Sequence, residues 1–587
     1  MCRRVLKLRE KNLVILIFAF FTLACFGGTF FLPDFWDLGG SEKLSAHVPV
    51  RMFVPDAGAH GQGVDGDVHK KDDSDRLWDK IRKNFLAKPP LTVRRDEEQF
   101  PVTPSPLPAN PSLNKKKSDG VGGGGGPSVG RSADDEESKM RRMKIVQMMQ
   151  HAWSMYEKHA WGENELKPIS KRGHSANIFG HSKMGATIVD GLDTLYLMGL
   201  TEEFARGRQW VKESFRFEAN SDISVFEVNI RFVGGLLACY ALSKDAVFKD
   251  KAVEIADKLL PAFETETGIP YAILNLQTGS RKNWSWASGG CSILSEFGTL
   301  HLEFAYLSNI TGNPVYLQKV TRIREYISKM ERQDGVYPNY LHPSTGRWGQ
   351  RHTSLGALGD SFYEYLLKSW LQNKTDALAK SMYDEAMKTV MDRLLQTSRN
   401  GLVYFAEMKN GRLEHKMDHL ACFTGGMIGL GAEHSDDKEK HMKVAKDIGK
   451  TCYESYDRTA TKLGPEAFRF EDSSEATTTR SQEKYYILRP EVIETYFYLW
   501  RLTKNNMYRE WGWQAAQALE KHCLIKDGGY TGIKDVYDAH SAKDDVQQSF
   551  FLAETLKYLY LLFSPDSTLD LDRWVLNTEA HPLPVLV

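Results

Sequence analysis

From about residue 139 to the C-terminus the chain alternates between two hydrophobic patterns. One is amphipathic and charged, at 139–161, 202–218, 246–264, 314–331, 376–398, 437–456 and 507–524. Apolar residues recurring every three or four positions predict helices with one wet face, suited to an outer layer. The other pattern is apolar nearly all round: "GATIVDGLDTLYLMG", "SVFEVNIRFVGGLLACYAL", "SEFGTLHLEFAYL", "DSFYEYLLKSWL", "CFTGGMIGLGAE", "RPEVIETYFYLWRL" and "QQSFFLAETLKYLYLLF". A helix with no wet face belongs inside. A glycine turn recurs between them, at Gly268, Gly335, Gly401, Gly464 and Gly529, spaced 63 to 67 residues apart. Such a period marks a repeated supersecondary unit, and "GIPYAILNLQTG" reads as a small hairpin. Seven outer and seven inner helices in alternation predict an all-α fold: an (α/α)7 barrel with small β-hairpins at one end, over 139–587.

The pattern ahead of the barrel is different. Residues 13–32, "LVILIFAFFTLACFGGTFFL", are an uncharged apolar run long enough to span a bilayer. Arg3, Arg4, Lys7, Arg9 and Lys11 precede it, and Asp34 and Asp37 follow it. The positive side stays cytosolic, so 1–12 is a cytosolic tail and the rest of the chain is lumenal, a single-pass type II arrangement. Thr22-x-Ala24 also resembles a signal-peptide cleavage site, but the run exceeds the usual apolar core of about 7–15 residues, which favours a retained anchor. Residues 33–138, with "PVTPSPLPANPS" and "GVGGGGGPSVG", read as a disordered lumenal stem.

Composition narrows the classes. Lys+Arg and Asp+Glu are both 76, a net charge of zero, which gives no electrostatic case for nucleic acid as a partner. Aromatic residues at 11% suit a folded enzyme rather than a disordered scaffold. Cys422 begins an inner helix and Cys452 ends the next outer one. A helical hairpin brings those ends together, and a lumenal compartment oxidises them to a disulfide. Cys239, Cys291 and Cys523 read as buried core thiols. Sequons at Asn309 and Asn373, near helix ends, are expected glycosylation sites, whereas Asn283 in "KNWSWASGG" sits beside an expected buried wall.

Nearly every inner helix carries an acid in its first turns: Asp190, Glu227, Glu296, Asp360 with Glu364, Glu491 with Glu494, and Glu554. Arg231 follows Glu227 by four residues, on the same face. Each acid alone could serve as a helix cap, worth about 0.3–1 kcal/mol through the macrodipole. Together they imply more. Inner helices of a toroid start at one end, so the acids line one cavity, and burying that many carboxylates costs several kcal/mol each unless they are paired. Glycoside hydrolysis uses such a set: one acid protonates the leaving oxygen, and another activates water or attacks directly. A dinuclear carboxylate site needs Glu-x-x-His pairs on facing helices, and the inner helices have none. A hard cation held by oxygen ligands suits the same cavity. His301, His415, His419 and His581 read as neutral core or surface residues rather than ligands.

The stretches "SVFEVNIRFVGGLLACYALS", "LGDSFYEYLLKSW", "HKMDHLACFTGGM", "YYILRPEVIETYFYLWR", "SFFLAETLKYLYLLF" and "NTEAHPLP" resemble the class I α1,2-mannosidases, glycoside hydrolase family 47, over about residues 140–587. The tail, anchor and stem resemble its Golgi subgroup, the mannosyl-oligosaccharide 1,2-α-mannosidases of type IA, IB and IC. The resemblance implies a calcium-dependent, inverting exo-mannosidase on the Golgi membrane. Its substrates are high-mannose N-glycans, trimmed toward the five-mannose form. By motif, Glu227 is similar to the family's general acid, acting through a water, and Glu491 to the base that activates the attacking water. Asp360 is similar to a third carboxylate whose role stays open. An inverting pair stands about 6.5–9.5 Å apart to leave room for that water. Thr578 in "NTEAHP" matches the direct calcium ligand, through hydroxyl and carbonyl. Glu296, Glu364, Glu494, Glu554 and Glu579 then hold the ion's waters or touch sugar, and Arg231 and Phe550 line the substrate. Leu358 stands where endoplasmic reticulum members have an Arg that grips one glycan branch, which implies broader branch specificity. A glycan-binding quality-control protein on the same barrel is the rival reading. The presence of Glu227, Asp360, Glu491 and Thr578, with no further domain expected after "PLPVLV", favours catalysis. A membrane-tethered scaffold is a third.

Overall fold

The computed structural model describes residues 135–217, 220–471 and 474–586. The expected cytosolic tail, the membrane run 13–32 and stem residues 33–134 lie outside the described residues.

The amphipathic stretches form helices α1 (Glu136–Ala160), α3 (Thr201–Glu213), α5 (Ala246–Leu259), α7 (Val315–Ser328), α9 (Ala377–Arg393), α11 (Lys438–Asp457) and α13 (Met507–His522). The apolar stretches form α2 (Ala186–Leu197), α4 (Val225–Ser243), α6 (His301–Thr311), α8 (Asp360–Gln372), α10 (Phe423–Ala432), α12 (Glu491–Thr503) and α14 (Leu556–Leu562). Each outer helix buries one stripe. In α1 this is Ile145, Met148, Met149, Ala152, Trp153, Tyr156 and Ala160, at helical spacing. The inner helices bury nearly everything; in α12 every residue from Glu491 to Arg501 is buried. α2 packs on α4, α4 on α6, and so on through α12 and α14, and the turn Phe551–Thr555 ahead of α14 returns to α2. Each outer helix leans on an inner one, giving a predominantly helical α/α barrel.

Several boundaries differ from expectation. α1 begins at Glu136, inside the expected stem, because the Asp135 carboxylate accepts from the Ser138 amide at 2.6 Å and caps it. α3 stops at Glu213 and α9 at Arg393, the latter giving way to strand Leu395–Thr397. The expected hairpin after Gly268 has a third strand: Ile273–Asn275 pairs with Arg281–Lys282 and also with Asp222–Ser224, just before α4. α4 is apolar and long enough to cross a membrane, but 78% of its apolar window is buried inside the barrel, so its composition is that of a core helix.

Two inner helices open with a π-helical turn, Asn229–Val233 within α4 and Phe551–Thr555 before α14. Such turns alter which side chains share a face, and they cluster at functional sites. A last hairpin, Trp574–Leu576 paired with Pro582–Pro584, packs against α4, α6 and α8. Its turn, Asn577 to His581, is almost wholly buried.

Candidate active site

One cavity of about 310 Å³ gathers the starts of the inner helices and the turn of the last hairpin. Glu227 and Arg231 come from α4, and Glu296 from the short helix Leu294–Gly298. Asp360 and Glu364 come from α8, Glu491 and Glu494 from α12, and Phe550 and Glu554 from the segment opening α14. Leu358 lines the wall ahead of α8, and Thr578 and Glu579 arrive on the hairpin turn. Asp190, expected to face the same space, does not line it. It is 0% exposed and pairs with Arg231 Nη1 at 3.3 Å and His581 Nε2 at 3.2 Å.

Arg231 is the hub of one side. Its Nε donates to Glu227 Oε2 at 2.8 Å, and its Nη1 reaches Asp190, Ser549 and Glu579. Its guanidinium lies 5.7 Å from the Phe550 ring centre. Burial opposes its charge, but Glu579, Glu227 and Asp190 outweigh burial and hold Arg231 well above the usual range. Behind it runs a second layer. His581 Nδ1 bonds Asp193 Oδ2 at 2.9 Å, and Lys557 bonds the same oxygen at 2.8 Å and the Ala580 carbonyl at 2.7 Å. Burial favours neutral His581, yet the Asp193 and Asp190 carboxylates outweigh it and raise His581 above its ordinary value.

On the other side Glu491 Oε2 meets His419 Nδ1 at 2.6 Å, and His419 Nε2 meets the Tyr456 hydroxyl at 2.7 Å. Arg489, two-pronged on Glu466 at 2.6 Å, lies 3.8 Å from Glu491. Burial pushes Glu491 up, but the His419 bond and the His419 and Arg489 charges outweigh it, so Glu491 sits below the ordinary carboxylate value. Its neighbours go the other way. Burial lifts Asp360 to about 7 against the pull of the Ser361 amide, with Glu364, Glu491 and Asp418 adding. Burial lifts Glu296 to about 8, although the Trp284 indole donates to it at 2.8 Å. Burial lifts Glu494 to about 8 despite Lys368, and Glu554 well above its usual value. One carboxylate held ionised among others inclined to hold protons is an arrangement suited to acid–base chemistry.

Eight carboxylates and two guanidiniums, Arg231 and Arg489, line the cavity. That imbalance suits a cation. Among the described residues no group of three or more His, Cys, Asp or Glu converges as a direct ligand set. Thr578, with hydroxyl and carbonyl oxygens, reaches the cavity alongside Glu364, Glu494, Glu554 and Glu579. Such oxygens fit a hard divalent ion that keeps most of its water.

Some lining residues carried no sequence signal. Trp286 is 59% exposed at the mouth and stacks on Trp284 with ring centres 6.1 Å apart. Its loop has no periodicity to mark it. Arg489 and His419 stood inside recognised motifs, but their contacts with Glu491 come from different elements. Cys422 and Cys452 are joined, with Cα atoms 5.9 Å apart, and Cys239, Cys291 and Cys523 are buried and free. Asn309 is exposed and Asn373 half-buried. Asn283 is engaged: its amide donates to Gly290 O and accepts from Ala272 N, both at 2.8 Å.

The family model of glycosyl hydrolase family 47 matches residues 148–585. The chain is 53% identical to the mouse mannosyl-oligosaccharide 1,2-alpha-mannosidase IB over 100% of its own length and 94% of that protein's. It is 50% identical to the Drosophila melanogaster mannosyl-oligosaccharide alpha-1,2-mannosidase IA, over 98% of this chain and 95% of that one. In structure it matches an alpha-1,2-mannosidase from Trichoderma reesei with a TM-score of 0.69 at 27% identity, covering 76% of this chain and 99% of that one.

Proposed function

This chain belongs to glycosyl hydrolase family 47, and from that premise we propose how its cavity works. The protein is an exo-acting α1,2-mannosidase that trims high-mannose N-glycans. The observation that carries the residue assignment is the convergence of Glu227, Asp360, Glu491 and Thr578 on one cavity.

Glu491 is the base. The His419 bond keeps it ionised, ready to take a proton from the attacking water. Glu227, held by Arg231, passes a proton to the departing oxygen through a water, and the product inverts. Asp360, lifted to about 7, holds a proton near neutrality and serves as a hydrogen-bond donor to sugar or water. Phe550 and the exposed Trp286 supply apolar faces for sugar rings, and Leu358 leaves room for more than one branch. Thr578, with its hydroxyl and carbonyl oxygens, would hold calcium, and Glu296, Glu364, Glu494, Glu554 and Glu579 would accept from its waters or from sugar hydroxyls. An ion held there would supply positive charge for orienting hydroxyl groups of the terminal mannose.

The ring of inner and outer helices is an (α/α)7 barrel, and the catalytic unit runs over 139–587 with the capping turn just ahead. Residues 13–32 anchor the chain as a single-pass type II protein of the Golgi membrane, with 1–12 cytosolic and 33–138 as stem. Asn309 and Asn373 carry N-glycans. The test is the product profile of a nine-mannose glycan treated with the full chain, with and without a calcium chelator. Released mannose in the β configuration, stopped by the chelator, supports the whole reading. Release of α-mannose overturns the inverting assignment, and release that survives the chelator overturns the calcium assignment.

A further inference from the structure

Glu303 is a buried acid with no ion-pair partner among the described residues. It lies on α6, is 0% exposed and does not line the cavity. Asp190 and Asp193, equally buried, meet Arg231 and Lys557. Glu303 instead meets three neutral donors from three other elements. Its Oε1 accepts from the Tyr365 hydroxyl of α8 at 2.6 Å and from the Asn577 amide of the last hairpin at 2.8 Å. Its Oε2 accepts from the Asn229 amide of α4 at 3.0 Å.

Two of those three donors lead to Thr578. Asn577 immediately precedes it, and its side chain organises the turn around it. Asn577 Oδ1 accepts from the Glu579 amide at 2.9 Å and the His581 amide at 2.8 Å, while its Nδ2 also donates to the Ile230 carbonyl at 3.0 Å. Tyr365 is the other link: the Thr578 amide donates to its hydroxyl oxygen at 3.5 Å. One carboxylate therefore holds both the residue before Thr578 and the phenol beneath its backbone. A buried acid on neutral partners is unfavourable unless its charge has a use.

We propose that Glu303 is the positioning residue of the calcium site, fixing the turn that presents Thr578 through its bonds to Asn577 and Tyr365. The inference rests on Thr578 holding calcium. Groups behind the direct ligands typically change metal affinity 10–100-fold when altered, because they orient the donor and set the local field.

Glu303→Gln keeps the shape but replaces one acceptor oxygen with an N–H donor. Asn229 Oδ1 is buried without a partner, so a turn of that amide can accept the N–H that glutamine adds. Calcium chloride titrated calorimetrically into chelator-stripped full chain should show a Kd raised about 10–100-fold in the variant. Its melting temperature in chelator should stay within about 2 °C of the parent, since a shift of about 1 kcal/mol moves a large domain by only about 2–4 °C. Tyr365→Phe, which removes the hydroxyl joining Glu303 to the Thr578 amide but leaves the Asn577 and Asn229 bonds in place, should raise the Kd by a smaller factor. A Glu303→Gln Kd within about twofold of the parent overturns the inference, as does a parallel loss of calcium-free stability. If Glu303→Gln does not fold, Tyr365→Phe decides, and an unchanged Kd there rejects the inference. Failure of the parent chain itself to bind calcium rejects the calcium reading instead, so the two failures are distinguishable.

Discussion

Among individual residues, the contrast between Glu491 and its neighbours matters most. Burial works against ionisation at each of them, yet His419 and Arg489 hold Glu491 below the ordinary value while Asp360 and Glu296 rise to about 7 and about 8. Glu491→Gln should lower kcat by about 10²–10⁴-fold, the usual worth of a general base, with an unchanged melting profile. Survival of activity within a few-fold would reject the base assignment. His419→Ala removes the bond that opposes burial. The Glu491 carboxyl then rises, and the acidic limb of the kcat/KM–pH profile should move to higher pH. An unmoved limb would mean that Glu491 does not set it. The motif around "RPEVIET" made Glu491 and Glu494 visible in the sequence. Their opposite protonation tendencies were not visible, because His419 and Lys368 lie 72 and 126 residues away along the chain.

Among the elements, α10 shows how small residues and a crosslink shape the wall. Its "FTGGMIGLGA" lets α11 and α12 approach closely on either side. A Cβ at Gly425 would stand 2.7 Å from Thr495 Cγ2 and 3.2 Å from the Ala445 carbonyl. The disulfide from Cys422 to Cys452 ties this helix to α11 across a separation of 30 residues. Replacing both cysteines by serine should cost about 3–4 kcal/mol of unfolding free energy by loop entropy, read from denaturant melts. A loss below about 1 kcal/mol would mean that packing of α10 alone holds the pair together. Helix identity and layer were legible from periodicity, since wet and dry faces follow directly from residue spacing. The π-helical turns bearing Arg231 and Glu554 were not. Nothing local in "NIRFV" or "FLAET" distinguishes them from ordinary helix.

At the scale of the molecule, the ring brings more negative charge together than its own cations balance. Carboxyls whose folded pKa lies above the unfolded value of about 4 stabilise the fold while protonated and lose that stability as pH rises. Glu165 and Asp360 at about 7, with Glu296 and Glu494 at about 8, set the window. Chelator-stripped protein should therefore lose melting temperature as pH rises from about 5 to 8, and calcium should restore more of it at pH 8 than at pH 5. A calcium-free profile that rises over that range would contradict the unbalanced charge. The sequence also marked each acid of the cavity except for one misplacement: Asp190 shares the pattern of the others but lies behind Arg231. Its depth depends on how α2 is rotated within the ring, which no local spacing encodes.

Hydrophobic periodicity by itself determined which segments are helices and which layer each belongs to, because burial of an apolar face is a local demand of the chain. Motif spacing determined which acids share a face. The tertiary structure decided what those acids are: which one is held ionised, which keep their protons, and which buried carboxylate stands behind Thr578. Those outcomes depend on partners brought from distant segments into a space closed to water. There each missing hydrogen bond or countercharge weighs far more than it does in the unfolded chain.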